Sequence, residues 1–229
     1  MTSLKDRVPS SAPVKLRLLE IYNLLYKTYG PRKWWPADTS FEVIIGAILT
    51  QNTNWSNVEK AIVNLKKAGF LKPEQLRKVS LSRLAICIKP SGYFNQKAKL
   101  IKGFLKYFYK NYKGRVALMK KTSLPVLRKE LLDINGIGPE TADSILLYAL
   151  DKPIFVIDSY TKRLFNCLFI TECDNSYHDV QDFFMENLPI KQKLFNEYHA
   201  LIVTHAKEVC KKRPHCSNCI LHSLKAGPK

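Results

Sequence analysis

Residues Leu131 to Asp143, Leu-Leu-Asp-Ile-Asn-Gly-Ile-Gly-Pro-Glu-Thr-Ala-Asp, constrain this chain more than any other stretch. A leucine-rich periodic segment runs into Gly136-Ile137-Gly138, and Pro139 opens a second apolar segment ending near Leu150, so the pattern reads helix, tight hairpin, helix. Two glycines flanking an isoleucine suit a turn that needs permissive dihedrals and a close approach of backbone to an outside group. Pro139 fits the first helical position, where its missing N–H costs nothing, and the free N–H groups around it can receive a phosphate. A carboxylate, Asp158, follows one short apolar run later, in Phe-Val-Ile-Asp-Ser-Tyr. The combination to test is a phosphate grip with an acid.

Charge bears on the same idea. Lys and Arg number 37 against 19 Asp and Glu, a net +18 spread along the whole chain, and such a field attracts polyanions, nucleic acid first among them. An anionic membrane surface is less favoured, because the chain has neither a lipidation signal nor a long uncharged apolar run. Thr2 to Pro13 is polar and proline-punctuated, unlike the apolar region of a signal peptide, so an intracellular, cytoplasmic protein is expected. The 46% hydrophobic content is ample for a core in one large domain or two small lobes.

Residues 1–13 read as a disordered lead. Val14 to Tyr29 is an amphipathic helix closed by Gly30-Pro31, and Trp34-Trp35-Pro36 then puts two of the three tryptophans in a loop. Phe41 to Leu49 is apolar nearly all round apart from Glu42, which predicts a central buried helix ending in the polar run Thr50 to Trp55. Further helices are predicted over Asn57 to Ala68, Pro73 to Val79, Ser82 to Ile88, Gln96 to Tyr112, Ser123 to Leu132, Glu140 to Leu150, Tyr160 to Phe169, Ser176 to Asn187 and Gln192 to Glu208. On the long helix, Lys97, Lys99, Lys102, Lys106 and Lys110 read as a solvated lysine face in preference to a DNA contact. No alternating strand pattern occurs, so the expected class is all-α.

Five anchors in order resemble the endonuclease III superfamily of helix-hairpin-helix DNA glycosylases over roughly residues 15–220. They are Ile48-Leu49-Thr50-Gln51-Asn52-Thr53, Gly92-Tyr93-Phe94-Asn95-Gln96-Lys97-Ala98, the hairpin Gly136-Ile137-Gly138, the acid in Val156-Ile157-Asp158, and the cysteines near the C-terminus. The resemblance implies a six-helix barrel over 41–150 and a second helical lobe built from 14–40 plus 151–229. It further implies double-stranded DNA containing a damaged base as the partner, lying across the groove between the lobes, and action as a monomer. Gln51, Asn52, Gly136, Ile137, Gly138 and Thr141 are its DNA-binding candidates, with Gln51 filling the gap left by an extruded nucleotide, whose unstacking costs roughly a few kcal/mol. The plainer reading of Gln51 is a polar residue at a helix end.

Cleaving an N-glycosidic bond leaves an oxocarbenium-like sugar, which a carboxylate can stabilise, and Asp158 is the candidate. An Asp there also suits the N-cap of the next helix, and both roles can hold together. Family members that nick the strand carry a lysine two residues past the second hairpin glycine. Here that position is Glu140, which cannot form an imine, so a monofunctional glycosylase is expected. Trp34 and Trp35, with Trp55, look like the base pocket of the short bacterial 3-methyladenine glycosylase branch, since an indole face attracts a cationic alkylated purine by ~0.5 to 2 kcal/mol. Their alternative is to pin the N-terminal helix to the barrel. A mismatch or uracil-type glycosylase and a non-catalytic DNA-binding module are the rival functions.

Of six cysteines, Cys87, Cys167 and Cys173 read as small buried hydrophobes. Cys210, Cys216 and Cys219 resemble the family's 4Fe-4S loop, except that the fourth thiolate position is Lys225; His205, His215 and His222 are the candidate replacements. Three readings stay open, in this order: a 4Fe-4S cluster, no metal, or zinc.

Overall fold

The computed structural model describes residues 14–172, 174–211 and 216–224. The expected lead over 1–13, Cys173, His215 and Lys225 lie outside the described residues. Twelve α-helices occur among those described, with no strand: α1 Val14–Tyr29, α2 Ser40–Leu49, α3 Trp55–Lys67, α4 Pro73–Lys78, α5 Leu81–Cys87, α6 Phe94–Tyr112, α7 Val116–Lys121, α8 Leu124–Leu132, α9 Pro139–Ser144, α10 Ser159–Cys167, α11 Tyr177–Asn187 and α12 Gln192–Glu208. The protein is all-α. None of the described helices is long and apolar enough to cross a membrane.

The chain divides into two compact units, one of Met1–Trp34 with Pro153–Lys229 and one of Trp35–Lys152. In the first, α12 packs against α1 and α10. Its core is aromatic: Phe155 stacks on Phe184 with ring centroids 4.2 Å apart, and Tyr198 sits edge-on to both. The fully buried Tyr198 hydroxyl donates to the Leu18 carbonyl at 2.8 Å, so its one polar atom keeps a partner after leaving water.

In the second unit α2 is the central rod, and Phe41, Ile44, Ile45, Ile48 and Leu49 are all buried. Thr39 caps it by accepting from the Glu42 N–H at 3.1 Å. Glu42, the polar exception in the sequence pattern, is buried at 7% side-chain exposure and paired with Lys66 at 2.7 Å. Around this rod α6 contributes Phe104 and Phe108, the latter stacked on Phe41.

Four sequence expectations need correction. Lys97 and Lys102 leave the lysine face: Lys97 is buried with Nζ donating to the Leu49 and Ser91 carbonyls at 2.8 and 2.6 Å, and Lys102 caps the carbonyls of Leu76, Arg77 and Val79. Lys99, Lys106 and Lys110 stay exposed. Trp55 opens α3 instead of closing the preceding loop, because Asn54 caps the helix one residue before it. The segment after Pro139 is α9 followed by a π turn over Ile145–Ala149, not one uniform helix. Finally, Cys87 and Cys167 are half-buried, not buried; α7 lies in a stretch for which no element was predicted.

Candidate active site and DNA-binding hairpin

The hairpin is built as its residues require. Gly136 takes φ +94°, in the region that favours glycine, and a Cβ there would lie 3.4 Å from Leu100. Ile137 turns inward and is buried, anchoring the loop while Gly138 and Gly136 stay exposed. Gly138 is the N-cap of α9, Pro139 occupies its first turn and no side chain caps it, so the first N–H groups point out of the helix end. Arg128 on α8 grips Asp143 on α9 through two bonds, 2.8 and 3.1 Å, and Asp143 is fully buried. The two arms of the hairpin are therefore clamped.

Gln51 reaches this hairpin. Its Nε2 donates to the Gly136 carbonyl and to the Thr141 hydroxyl, each at 3.0 Å. Asn52 adopts a left-handed φ of +51° and lines, with Gln51, Gly136, Tyr93 and Lys99, an open cleft of about 590 Å³. Gln51, Asn52, Gly136 and Thr141 thus come together. Tyr93, part of a sequence anchor but not among the predicted site residues, is 65% exposed at φ +45° in the turn after Gly92. Lys97 fixes the geometry by bonding both to the last carbonyl of α2, just before Gln51, and to Ser91, just before this turn. Burial lowers its amine from the ordinary lysine range to about 8.

Trp35 lies across α2 at Gly46, where a Cβ would meet the indole at 3.3 Å. It meets Trp55 edge to face with centroids 5.0 Å apart and an angle of 82°, and Tyr148 at 5.4 Å. Trp55 Nε1 donates to Glu59 at 2.7 Å. A flat base between parallel indoles needs about 7 Å, two van der Waals layers, so Trp35 and Trp55 are closed on one another. Trp34 belongs to the first unit, and the ring cluster is completed by Tyr148.

In the first unit Asp158 is the N-cap of α10: Oδ1 accepts from the Thr161 N–H at 2.7 Å and the Thr161 hydroxyl at 2.9 Å. Oδ2 faces His199 Nε2 on α12 at 3.5 Å, and the Asp158 side chain is only 12% exposed. Burial pushes its pKa up, but His199 and the two Thr161 donors outweigh burial, and the carboxyl ends below its ordinary value. His199 was missed because a lone histidine among Tyr198, Ala200, Leu201 and Ile202 reads as core. Glu140 is exposed in the first turn of α9, so the position two past Gly138 offers no amine.

The C-terminal cysteine Cys219 lies near a buried histidine. Cys219 Sγ lies 3.4 Å from His205 Nε2, and the other ring nitrogen of this fully buried histidine meets the Tyr29 hydroxyl at 2.8 Å. Burial, with Cys167 and Cys219 close by, pushes the Cys210 thiol up to about 11. Cys216 stands in a short turn, Cys216–Asn218. Among the described residues no three His, Cys, Asp or Glu side chains converge as metal donors.

Comparison with known proteins agrees with this geometry. Residues 45–190 match the model of the HhH-GPD superfamily base excision DNA repair protein. A protein of Methanocaldococcus jannaschii named "Putative DNA repair glycosylase MJ1434" is 47% identical over 204 residues, 88% of this chain and 92% of that protein. Endonuclease III of Thermotoga maritima is 29% identical over 182 residues, 79% and 80% of the two chains. The crystal structure of the H. pylori 3-methyladenine DNA glycosylase bound to 1,N6-ethenoadenine superposes with a TM-score of 0.71 at 28% identity, covering 90% of this chain and 98% of that one. The chain belongs to the HhH-GPD superfamily of base excision DNA repair proteins. Its enzymatic class is DNA glycosylase.

Proposed function

We propose that the protein is a monofunctional glycosylase that hydrolyses the N-glycosidic bond of an alkylated purine such as 3-methyladenine in double-stranded DNA and leaves an abasic site. The observation that carries this reading is the Asp158 carboxylate, desolvated yet held ionised with one oxygen bound by Thr161. As the base departs, positive charge grows on the sugar, and a pre-charged carboxylate stabilises it without reorganising. Water then takes the place of the base. With Glu140 where a Schiff-base lysine would stand, the reaction stops at that product.

Two further observations support the substrate class. Trp35, Trp55 and Tyr148 form a ring cluster whose faces would attract a cationic base once parted, and the similar H. pylori enzyme is described as a 3-methyladenine DNA glycosylase. For a base to enter, Trp55 swings off Trp35 and gives up its Glu59 bond. The N–H groups of the hairpin hold the phosphate backbone, and Gln51 leaves Gly136 and Thr141 to fill the vacated stack. The protein acts as a monomer in this reading.

The test is a panel of duplexes carrying 3-methyladenine, ethenoadenine, uracil, thymine opposite guanine and oxidised bases, assayed with and without alkali. Alkylated purines are released and strands break only after alkali. Asp158→Asn binds DNA and releases no base. Release of uracil or mismatched thymine alone, or a borohydride-trapped covalent complex, overturns the proposal.

A further inference from the structure

We propose that His199 is a positioning residue for the acid: it holds Asp158 Oδ2 charged and aimed, and thereby sets the rate of base release. The inference rests on the reading of Asp158 given above. Helix capping needs one carboxylate oxygen, and that need is met in full by the Thr161 N–H and hydroxyl on Oδ1. Nothing in capping calls for a buried imidazole at the other oxygen. Yet His199 projects from α12 at 6% exposure, between residues whose neighbours form the apolar core, and its Nε2 stands 3.5 Å from Oδ2. Placing a polar ring there is costly unless it serves a polar group, and Nε2 faces the Asp158 carboxylate at 3.5 Å.

The arrangement makes the two oxygens unequal. Oδ1 is fixed from one side by two short donors of the same helix, while Oδ2 is held from another helix at a longer distance. A carboxylate pinned only at Oδ1 can rotate about its Cβ–Cγ bond, and a buried one can take up a proton; in either case its charge no longer faces the sugar when it is needed. The α10 and α12 helices pack directly on each other, so the imidazole position is set by the core and not by the surface.

The experiment compares His199→Leu, which keeps volume and removes the donor, with His199→Gln, whose amide can reach where Nε2 lies. Base release is measured in single turnover at saturating enzyme on a 3-methyladenine duplex, and affinity on a duplex with an abasic-site analogue. The leucine variant is expected to release base roughly 10- to 100-fold more slowly, the loss of a close polar contact to a charged group, with affinity within about twofold of the parent. The glutamine variant recovers most of the rate. Should the leucine variant not fold, His199→Asn, too short to reach Oδ2, takes its place with the same expectation. Parental rates in the leucine or asparagine variant overturn the proposal. So does an equal fall of rate, affinity and urea midpoint that glutamine does not rescue, the sign of a purely structural histidine. Asp158→Asn in the same assay separates the two ideas: if it stays active, the reading of Asp158 fails, and if it is dead while His199→Leu is normal, only the role of His199 fails.

Discussion

Substituting Gly46 by alanine sets two effects of known sign against each other. Gly46 sits in the middle of α2, where glycine is worse than alanine by about 1 kcal/mol of helix propensity. Propensity alone therefore raises the melting temperature by about 2 to 4 °C in a chain of this size. The new methyl, however, lands 3.3 Å from Cζ2 and Nε1 of Trp35, roughly half an ångström inside ordinary carbon contact. The indole cannot retreat freely, because Trp55 meets it at 5.0 Å and Tyr148 at 5.4 Å. Overpacking of this kind costs about 1 to 3 kcal/mol. The net is a loss of about 0 to 2 kcal/mol, so melting falls by up to about 8 °C instead of rising. Because the displaced ring belongs to the proposed base pocket, release of 3-methyladenine falls as well. Thermal unfolding, urea titration followed by tryptophan fluorescence, and single-turnover excision measure the three quantities. A full 2 to 4 °C gain with unchanged excision refutes the reasoning, since Trp35 would then not be wedged against α2.

Two other outcomes follow from buried charge. Arg128→Met leaves Asp143 charged and buried without its two-bond partner, and should cost about 3 kcal/mol in urea unfolding while weakening DNA binding through a loosened hairpin; the double variant Arg128→Met, Asp143→Leu is expected to regain stability. Asp158 has a carboxyl pKa below its ordinary value, so base release persists as pH falls into the usual carboxylate range. The same group stabilises the folded state above its unfolded pKa of about 3.9, and that stability disappears as pH drops through the lower folded value. Parallel pH–rate and pH–urea profiles against Asp158→Asn check both; an acid limb of activity above the ordinary carboxylate range contradicts them.

Much of the fold was legible because the signals are local. Gly136, Gly138 and Pro139 announce a turn and a helix start through their own backbone preferences, and Asp158 announces an N-cap through its side chain and the N–H three residues on. The five anchors also pointed to the enzyme class, and the family match agrees. What failed was what depends on distant partners. Periodicity assigned Lys97 to solvent, because a helical wheel cannot know that a carbonyl 48 residues earlier awaits its amine. It gave His199 no role for the same reason, since Asp158 lies 41 residues away in sequence. The short α7 went unseen because six residues carry too little pattern.

By itself, then, the sequence determined an all-α chain with a glycine hairpin between two helices, an Asp at a helix N-cap and Glu140 two residues past Gly138, since each follows from residue identity and short-range backbone sterics. Only the tertiary structure decided that Gln51 is held by Gly136 and Thr141, that Trp35 and Trp55 are closed on one another against Gly46, and that a buried imidazole faces the acid. These are contacts between residues far apart in the chain, and packing, not local preference, selects them.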